Sequence, residues 1–417
     1  MDNIMAMTID ALLGKWQQFL TYINPNSAAT EQESEPTNTL SLKAIAQTYR
    51  HHGLRSPLKQ QISYSVNTDI YHVIGREQAI DQINNAIELW RDNQGELSAI
   101  IAPFGAGVST FIQNIIRGQP ESEPLLWLSF CKAPLSSKEA IATLYDCFDI
   151  QNEPQSITDA IRLINAQPQH IIFLDDIHRL MQRRMGSYQA LVTLATILME
   201  TRQRHCWIMG CETYVWQRLS SQYQITHFIK TVVQLKYFTQ TELTTFLTLY
   251  LPDMGINLPH ESNNTQENEG DSALTIELNT LESHTKTLMK ICQGQPRLAL
   301  FILKQSIDEH KVSKLSDLNS KDIFTIDTHA LKSLDEESLF ALAEIYVHGG
   351  LTVEHLSIIF NMSIEESSLK LEFLSRQGLL ITQYCESDFA RHFYQIPPVL
   401  SKIVATHLLN HNKLFSF

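Results

Sequence analysis

The chain has 417 residues, 43% apolar and 18% charged, with a formal net charge of −13. That length is too great for one ordinary core and predicts two or three domains. The acidic balance excludes a surface that coats nucleic acid and leaves room only for a local basic patch. Six cysteines (131, 147, 206, 211, 292, 385) form no C-x-x-C pair, which excludes a zinc finger and fits a reduced, cytoplasmic protein. The first twenty residues lack a basic segment leading into a clean apolar run, and no stretch reaches the roughly 18 apolar residues of a spanning helix. Neither a secretory signal nor a transmembrane segment is expected.

Residues 4–23 place Ile4, Leu12, Leu13, Trp16, Phe19, Leu20 and Ile23 near helical spacing, predicting an amphipathic helix over 1–23 that serves as a docking helix or a partner-binding arm. A polar Pro/Ser/Glu linker follows at 24–40. From Tyr71 onward, short apolar runs at 97–102, 124–130, 170–175, 206–211 and 231–238 alternate with helical patterns at 137–148, 156–166 and 187–202. Buried strands alternating with helices imply an α/β fold with a parallel sheet covered on both faces, assigned to 41–238.

The first of those runs ends in "APFGAGVST", residues 102–110. Laid on the phosphate-loop pattern G-x-x-x-x-G-K-[ST], the second glycine is Gly107 and the hydroxyl is Ser109, but Ala102 replaces the first glycine and Val108 the lysine. Gly105 and Gly107 would let backbone amides of Gly105, Ala106, Gly107, Val108, Ser109 and Thr110 approach phosphates, and Ser109 would start a helix where a hydroxyl can hold magnesium. The run at 170–175 closes in Asp175-Asp176, paired acids at the C-terminal end of a strand, where a parallel sheet presents carboxylates to a metal-phosphate.

A mainly helical stretch, 239–325, carries a polar insertion at 259–272. After it, three short helices near 335–347, 352–360 and 363–377, strand-like pieces at 378–384 and 392–396, and a closing helix near 398–410 have the order of a winged-helix domain over 326–417, with Glu386-Ser387-Asp388 as its wing tip. Residues 331–417 hold six Lys/Arg and ten Asp/Glu, and the would-be recognition helix carries Glu365, Glu366 and Glu372. Phosphate neutralisation needs several cations on one face, so protein contact is expected and duplex binding is not. Lys402, His407, His411 and Lys413 form the one candidate basic patch, while Leu369, Phe373 and Leu374 are expected to tie the third helix into its own core.

Taken in order, these motifs resemble the AAA+ ATPases, within them the branch of origin-recognition initiators, transposition regulators and STAND-like ATPases, over roughly 71–417. "HVIGREQAI" (72–80) resembles the opening motif of that branch, which implies a base pocket lined by Val73, Ile74 and Gly75. The likeness implies a Walker B role for Asp175 on magnesium and Asp176 on the attacking water, a helical lid at 239–325, and a sensor-2 role for Arg297 of "GQPRLAL", reaching the γ-phosphate. At sensor 1, "GCET" (210–213) offers Cys211, Glu212 or Thr213 where Asn, Ser or Thr is expected, and a charged glutamate there would repel phosphate. Arg202, Arg204 and Arg218 are open alternatives for an arginine finger.

What the resemblance implies is ATP or ADP with Mg2+ as ligands and protein partners, a homo-oligomer among them. The missing lysine changes the expectation. A hydrogen bond to a charged group contributes about 1.5–3 kcal/mol, and one pre-aimed transition-state donor roughly 10²–10³ in rate. Weak nucleotide binding without turnover, in a regulatory or scaffolding protein, is therefore expected ahead of two alternatives: an active ATPase of replication, transposition or defence against foreign DNA, and a structural adaptor with an empty loop.

Overall fold

A computed structural model describes residues 38–51, 59–60, 73–120, 122–129, 134, 136–180, 188–223, 225–256, 270–385 and 388–414. The predicted helix over 1–23 and most of the predicted linker lie outside these residues. Thr39 and Leu40, expected in the linker, belong instead to a short strand, β1 (Thr39–Ser41). The chain divides into two units, Met1–Thr39 and Leu40–Phe417, and every contact described below lies within the second.

Strands β3 (Leu97–Ala102), β4 (Leu125–Ser129), β5 (Ile171–Asp175), β6 (Cys206–Glu212) and β7 (Ile229–Gln234) run parallel in the order β4-β5-β6-β3-β7, and the two-residue β2 (Lys59–Gln60) adds antiparallel to β4. Every residue of β3, β5 and β6 is buried, as strands covered on both faces require. The last strand begins two residues before the predicted 231–238 and ends at Gln234. The chain then leaves the sheet, with Leu235 N still on Ile101 O and Phe238 N already on Gly294 O of the following helical region.

The helices are α1 (Leu42–His51), α2 (Glu77–Arg91), α3 (Val108–Gly118), α4 (Ser137–Cys147), α5 (Ile157–Asn165), α6 (Tyr188–Thr201), α7 (Thr213–Tyr223), α8 (Gln240–Tyr250), α9 (Gly270–Cys292) and α10 (Pro296–His310). Their starts follow from local chemistry. The side chains of Ser136 and Ser156 accept the amides of Glu139 and Asp159, and Thr239 with Glu242 forms a reciprocal capping box. Helix α9 already begins at Gly270, so residues 270–272 are helical rather than part of the predicted insertion, and 259–269 lie outside the described residues.

Beyond them come β8 (Thr325–Asp327), α11 (His329–Lys332), α12 (Glu336–Val347), α13 (Val353–Phe360), α14 (Ile364–Arg376), the antiparallel hairpin β9 (Ile381–Cys385) and β10 (Asp388–Gln395), and α15 (Ser401–Asn410). Asp388, expected at a wing tip, pairs with Cys385 inside the hairpin, and 386–387 lie outside the described residues. One expectation is overturned. Leu369 is 68% and Phe373 43% exposed, whereas Leu371 and Leu374 are fully buried, so α14 turns its Leu371–Leu374 stripe inward and presents Leu369 and Phe373 outward. Leu369 and Phe373 lie one turn apart, and the inward stripe runs along the other side of the helix.

Three apolar clusters hold the unit together. One joins one face of the sheet to the C-terminal helices, from Leu174 and Trp207 to Leu342, Leu371 and Leu408. A second fills the other face beneath α2 and α3, around Ile83, Phe111 and Phe173. A third is formed within α8–α10, around Leu243, Leu288 and Ile302.

Candidate functional site

The loop between β3 and α3 carries left-handed backbone at Gly105 (φ 82°) and Gly107 (φ 95°). A Cβ added at Gly107 would meet nothing within 4 Å, so the space beside that glycine is open. Gly107 caps α3, and Ser109 and Thr110 lie in its first turn. At the strand end of β5, Ser109 Oγ donates to Asp175 Oδ2 at 3.2 Å, although the two are 66 residues apart. Asp175 Oδ1 accepts the Asp176 amide at 2.9 Å. Burial, with Asp176 beside it, pushes the Asp175 carboxyl up to about 7. An exposed hydroxyl beside a buried carboxylate, both at the N-terminal end of a helix, is a hard-oxygen pair suited to magnesium next to a phosphate.

Val108 occupies the lysine's place and packs inward against the second apolar cluster. Gly210 explains how Asp175 fits: a Cβ there would lie 2.7 Å from Asp175 Oδ1 and 3.4 Å from Val108 Cγ1. Nothing in the sequence pattern alone assigns Gly210 this part, since it sits inside an apolar strand. Asp176 has left-handed backbone (φ 58°), and its carboxylate lies 3.8 Å from both His178 Nε2 and Arg179 Nη2.

Glu212 does not extend toward the loop as a bare charge. It ends β6, and its Oε2 accepts the amides of Tyr214 and Val215 at 2.7 and 3.1 Å, capping α7. Burial outweighs those amides and pushes its carboxyl up to about 8, toward the neutral form. Both its place as the α7 cap and its raised pKa lessen the repulsion expected of a charged glutamate. Cys211 is buried within β6, and Thr213 opens α7 with a buried Oγ1 that has no partner.

Of the residues implied for the base pocket, Val73 packs on the second cluster and Gly75 (φ 64°) abuts the Glu242 side chain at the start of α8. Ile74 is half-buried. Arg76 donates to the Lys236 carbonyl and lies 5.4 Å over the Phe238 ring. Arg297 is exposed on the first turn of α10, and its neighbour Gln295, fully buried, is the residue of that segment that meets the loop. Arg202 and Arg204 bond the carbonyls of Met199 and Gln167 at the N-terminal edge of the sheet, opposite the loop, while Arg218 is half-exposed on α7.

The tip of the loop is gripped from three sides. The Phe104 carbonyl accepts both Tyr237 Oη and Ser401 Oγ at 2.8 Å, and Gln295 Nε2 would lie 2.6 Å from a Cβ on Gly105. The Phe104 ring meets His178 and Tyr346 edge-on at 4.8 and 5.1 Å. His178, two residues past the paired acids, is buried among Phe104, Asp176 and Gly349, and burial drives its imidazole down to about 3. These links from loop to C-terminal helices connect residues too distant in sequence for any motif to reveal.

The sheet order, with β6 between the loop strand and the acid strand, brings the glycine-bearing loop and the paired acids together at the C-terminal ends of a parallel α/β sheet. No protein-family model matches the chain. A curated relative, the Holliday junction branch migration complex subunit RuvB of Pseudothermotoga lettingae, is 33% identical over 107 residues, which cover 24% of this chain and 31% of that protein. Among solved structures the chain is similar to the Aeropyrum pernix ORC2 protein in its ADPNP-ADP complexes (13% identity, 82% of this chain and 95% of that one, TM-score 0.42). It is also similar to Cdc6p from Pyrobaculum aerophilum (16%, 81% and 94%, 0.39) and to Drosophila ORC bound to DNA (12%, 79% and 95%, 0.42). Among the described residues, no helix is long and apolar enough to cross a membrane.

Proposed function

We propose that the chain is an AAA+-type regulatory or scaffolding protein that binds ATP or ADP with magnesium weakly, hydrolyses little or none, and acts by assembling with protein partners. The observation that carries this reading is the pairing of Ser109 with Asp175 next to Val108: the oxygens that would hold magnesium are together, and the position that would supply the cation is apolar. In this reading the amides from Gly105 to Thr110 hold the phosphates, Val73, Ile74 and Gly75 border the base, and Asp176, Thr213 and Arg297 flank the γ-phosphate. Bound magnesium supplies charge neutralisation. Without a lysine, the transferring phosphoryl group lacks the donor that contributes roughly 10²–10³ in rate.

A protein-facing role for the winged-helix-like segment is supported by the outward Leu369 and Phe373, bordered by Glu365, Glu366 and Glu372. The candidate basic patch along and just after α15 is weak, since Lys413 is paired with Glu336. The test is calorimetric titration of the full chain with ADP and ATP in magnesium, together with phosphate release. Binding in the micromolar-to-millimolar range with release at background supports the reading. A magnesium-dependent rate near 1 per second that vanishes in Asp175→Ala returns the protein to the active ATPases.

A further inference from the structure

We infer that Lys402, on the last helix of the chain, is the cation that serves the phosphate loop in place of the missing lysine, its ligand being the phosphate chain of a nucleoside diphosphate or triphosphate. The inference rests on the nucleotide reading above and adds to it the residue that neutralises the ligand.

The N-terminus of α15 is built against the loop. Ser401 Oγ donates to the Phe104 carbonyl at 2.8 Å and would lie 3.1 Å from a Cβ on Gly105. Consecutive Cα atoms are about 3.8 Å apart, so the Lys402 stem starts within a side chain's length of the loop backbone. Its ammonium lies 5.1 Å over the ring of Tyr237, whose hydroxyl bonds the same Phe104 carbonyl and whose ring packs on the cluster that includes Val73 and Val108. Lys402 therefore stands where the loop meets the strip of residues assigned to the base.

The other cations near the loop are engaged elsewhere. Arg76 is on the Lys236 carbonyl and the Phe238 ring, and Arg179 is 5.1 Å over Phe393 and 3.8 Å from Asp176. Lys402 has no carboxylate partner among the described residues, and partial burial presses its ammonium toward the neutral form. An unpaired, partly desolvated ammonium gains most when an anion reaches it. A long, flexible lysine stem can swing from the tyrosine ring to a phosphate without moving its helix. Supplying the charge from the last helix makes the cation conditional on that helix staying docked, which a lysine inside the loop would not be.

The experiment is titration of ADP with magnesium into the full chain, its Lys402→Met variant and its Lys402→Arg variant, with the unfolding midpoint of each ligand-free protein as control. Met keeps the apolar stem on Tyr237 and removes the charge. The expected result is tenfold or greater weakening in Lys402→Met, affinity within about threefold of wild type in Lys402→Arg, and matching midpoints. Equal weakening in both variants, or a Lys402→Met affinity within twofold of wild type, overturns the inference while leaving the nucleotide reading intact. No ADP binding by the wild-type chain at millimolar concentration overturns both.

Discussion

Ser401, at the start of the last helix, donates a 2.8 Å hydrogen bond to the carbonyl of Phe104, 297 positions earlier in the chain. Tyr237 donates to the same oxygen at the same distance, and the one Ser401 proton is shared with the Pro398 carbonyl, also 2.8 Å away. The loop that would cradle phosphate is thus held by hydroxyls from the end of the sheet and from the final helix, and its ring is wedged between His178 and Tyr346. Loop and C-terminal helices share one set of contacts.

Phe104→Ala should loosen that junction. Truncating a buried Phe costs about 3–5 kcal/mol, and a half-buried one about 2. The expected outcome is a comparable loss in denaturant unfolding, with faster amide exchange in 336–347, which carries Tyr346. Unchanged exchange there would show that the ring is not what holds the helices.

Gly210→Ala is expected to destabilise the protein by about 1–3 kcal/mol, although alanine ordinarily costs less than glycine inside a strand. The sign follows from the 2.7 Å approach of the added Cβ to Asp175 Oδ1. The displaced carboxylate should also lose Ser109, so magnesium-dependent stabilisation by ADP should vanish with it. Thermal unfolding with and without Mg-ADP reads both effects.

Stability should fall as the pH rises from about 6.5 to 8 in ligand-free protein. Glu212, at about 8 folded against an ordinary 4.5, and Asp175, at about 7 against 3.8, hold protons more tightly folded than unfolded, so the stability they contribute is complete below the unfolded value and is lost toward the folded one. His178, at about 3 against 6.5, and His205, at about 4 against 6.5, with His170, His284 and His407 also lowered by burial, act in the opposite direction, an effect that fades above pH 7 as the unfolded imidazoles lose their protons. The carboxyls increasingly dominate above pH 7, and the net fall should be about 1 kcal/mol at ~1.4 kcal/mol per proton and pH unit. In Glu212→Gln, which stays neutral and can still accept the α7 amides, most of this slope should disappear in chemical denaturation at pH 6.5, 7.2 and 8.

The two sides of α14 should respond differently to substitution. Leu369→Ser and Phe373→Ser are expected to change stability by no more than about 0.5 kcal/mol, because both side chains already meet solvent. Leu371→Ala and Leu374→Ala should each cost about 2–5 kcal/mol. Urea unfolding of the four variants checks the assignment, and the full chain should show no micromolar, salt-sensitive affinity for random duplex at about 50 mM salt.

Much of the architecture is legible in the amino-acid order, because its causes are local. Apolar runs bounded by polar residues mark the strands, and the helix starts seen after Ser136, Thr239 and Ser363 are set by equally local side-chain caps. The last strand was misplaced because "TVVQLKYF" reads as one apolar run. Its second half is apolar for another reason: Leu235 is buried in the core, Tyr237 serves the loop, and Phe238 turns to Gly294.

The candidate site was legible only in its parts. The spacing of Ser109 from Asp175 and the loss of the lysine at Val108 are facts of the amino-acid order, since a strand, a turn and a helix start bring a loop together within a few residues. Period alone could not say which side of α14 faces inward, because Leu369, Leu371, Phe373 and Leu374 mark more than one stripe, and the neighbouring helices decide between them. The raised pKa of Glu212, the space at Gly210 and the meeting of Phe104 with Ser401 depend on which distant elements pack together. Burial and proximity across hundreds of residues are properties of that packing, and the local order of side chains does not carry them.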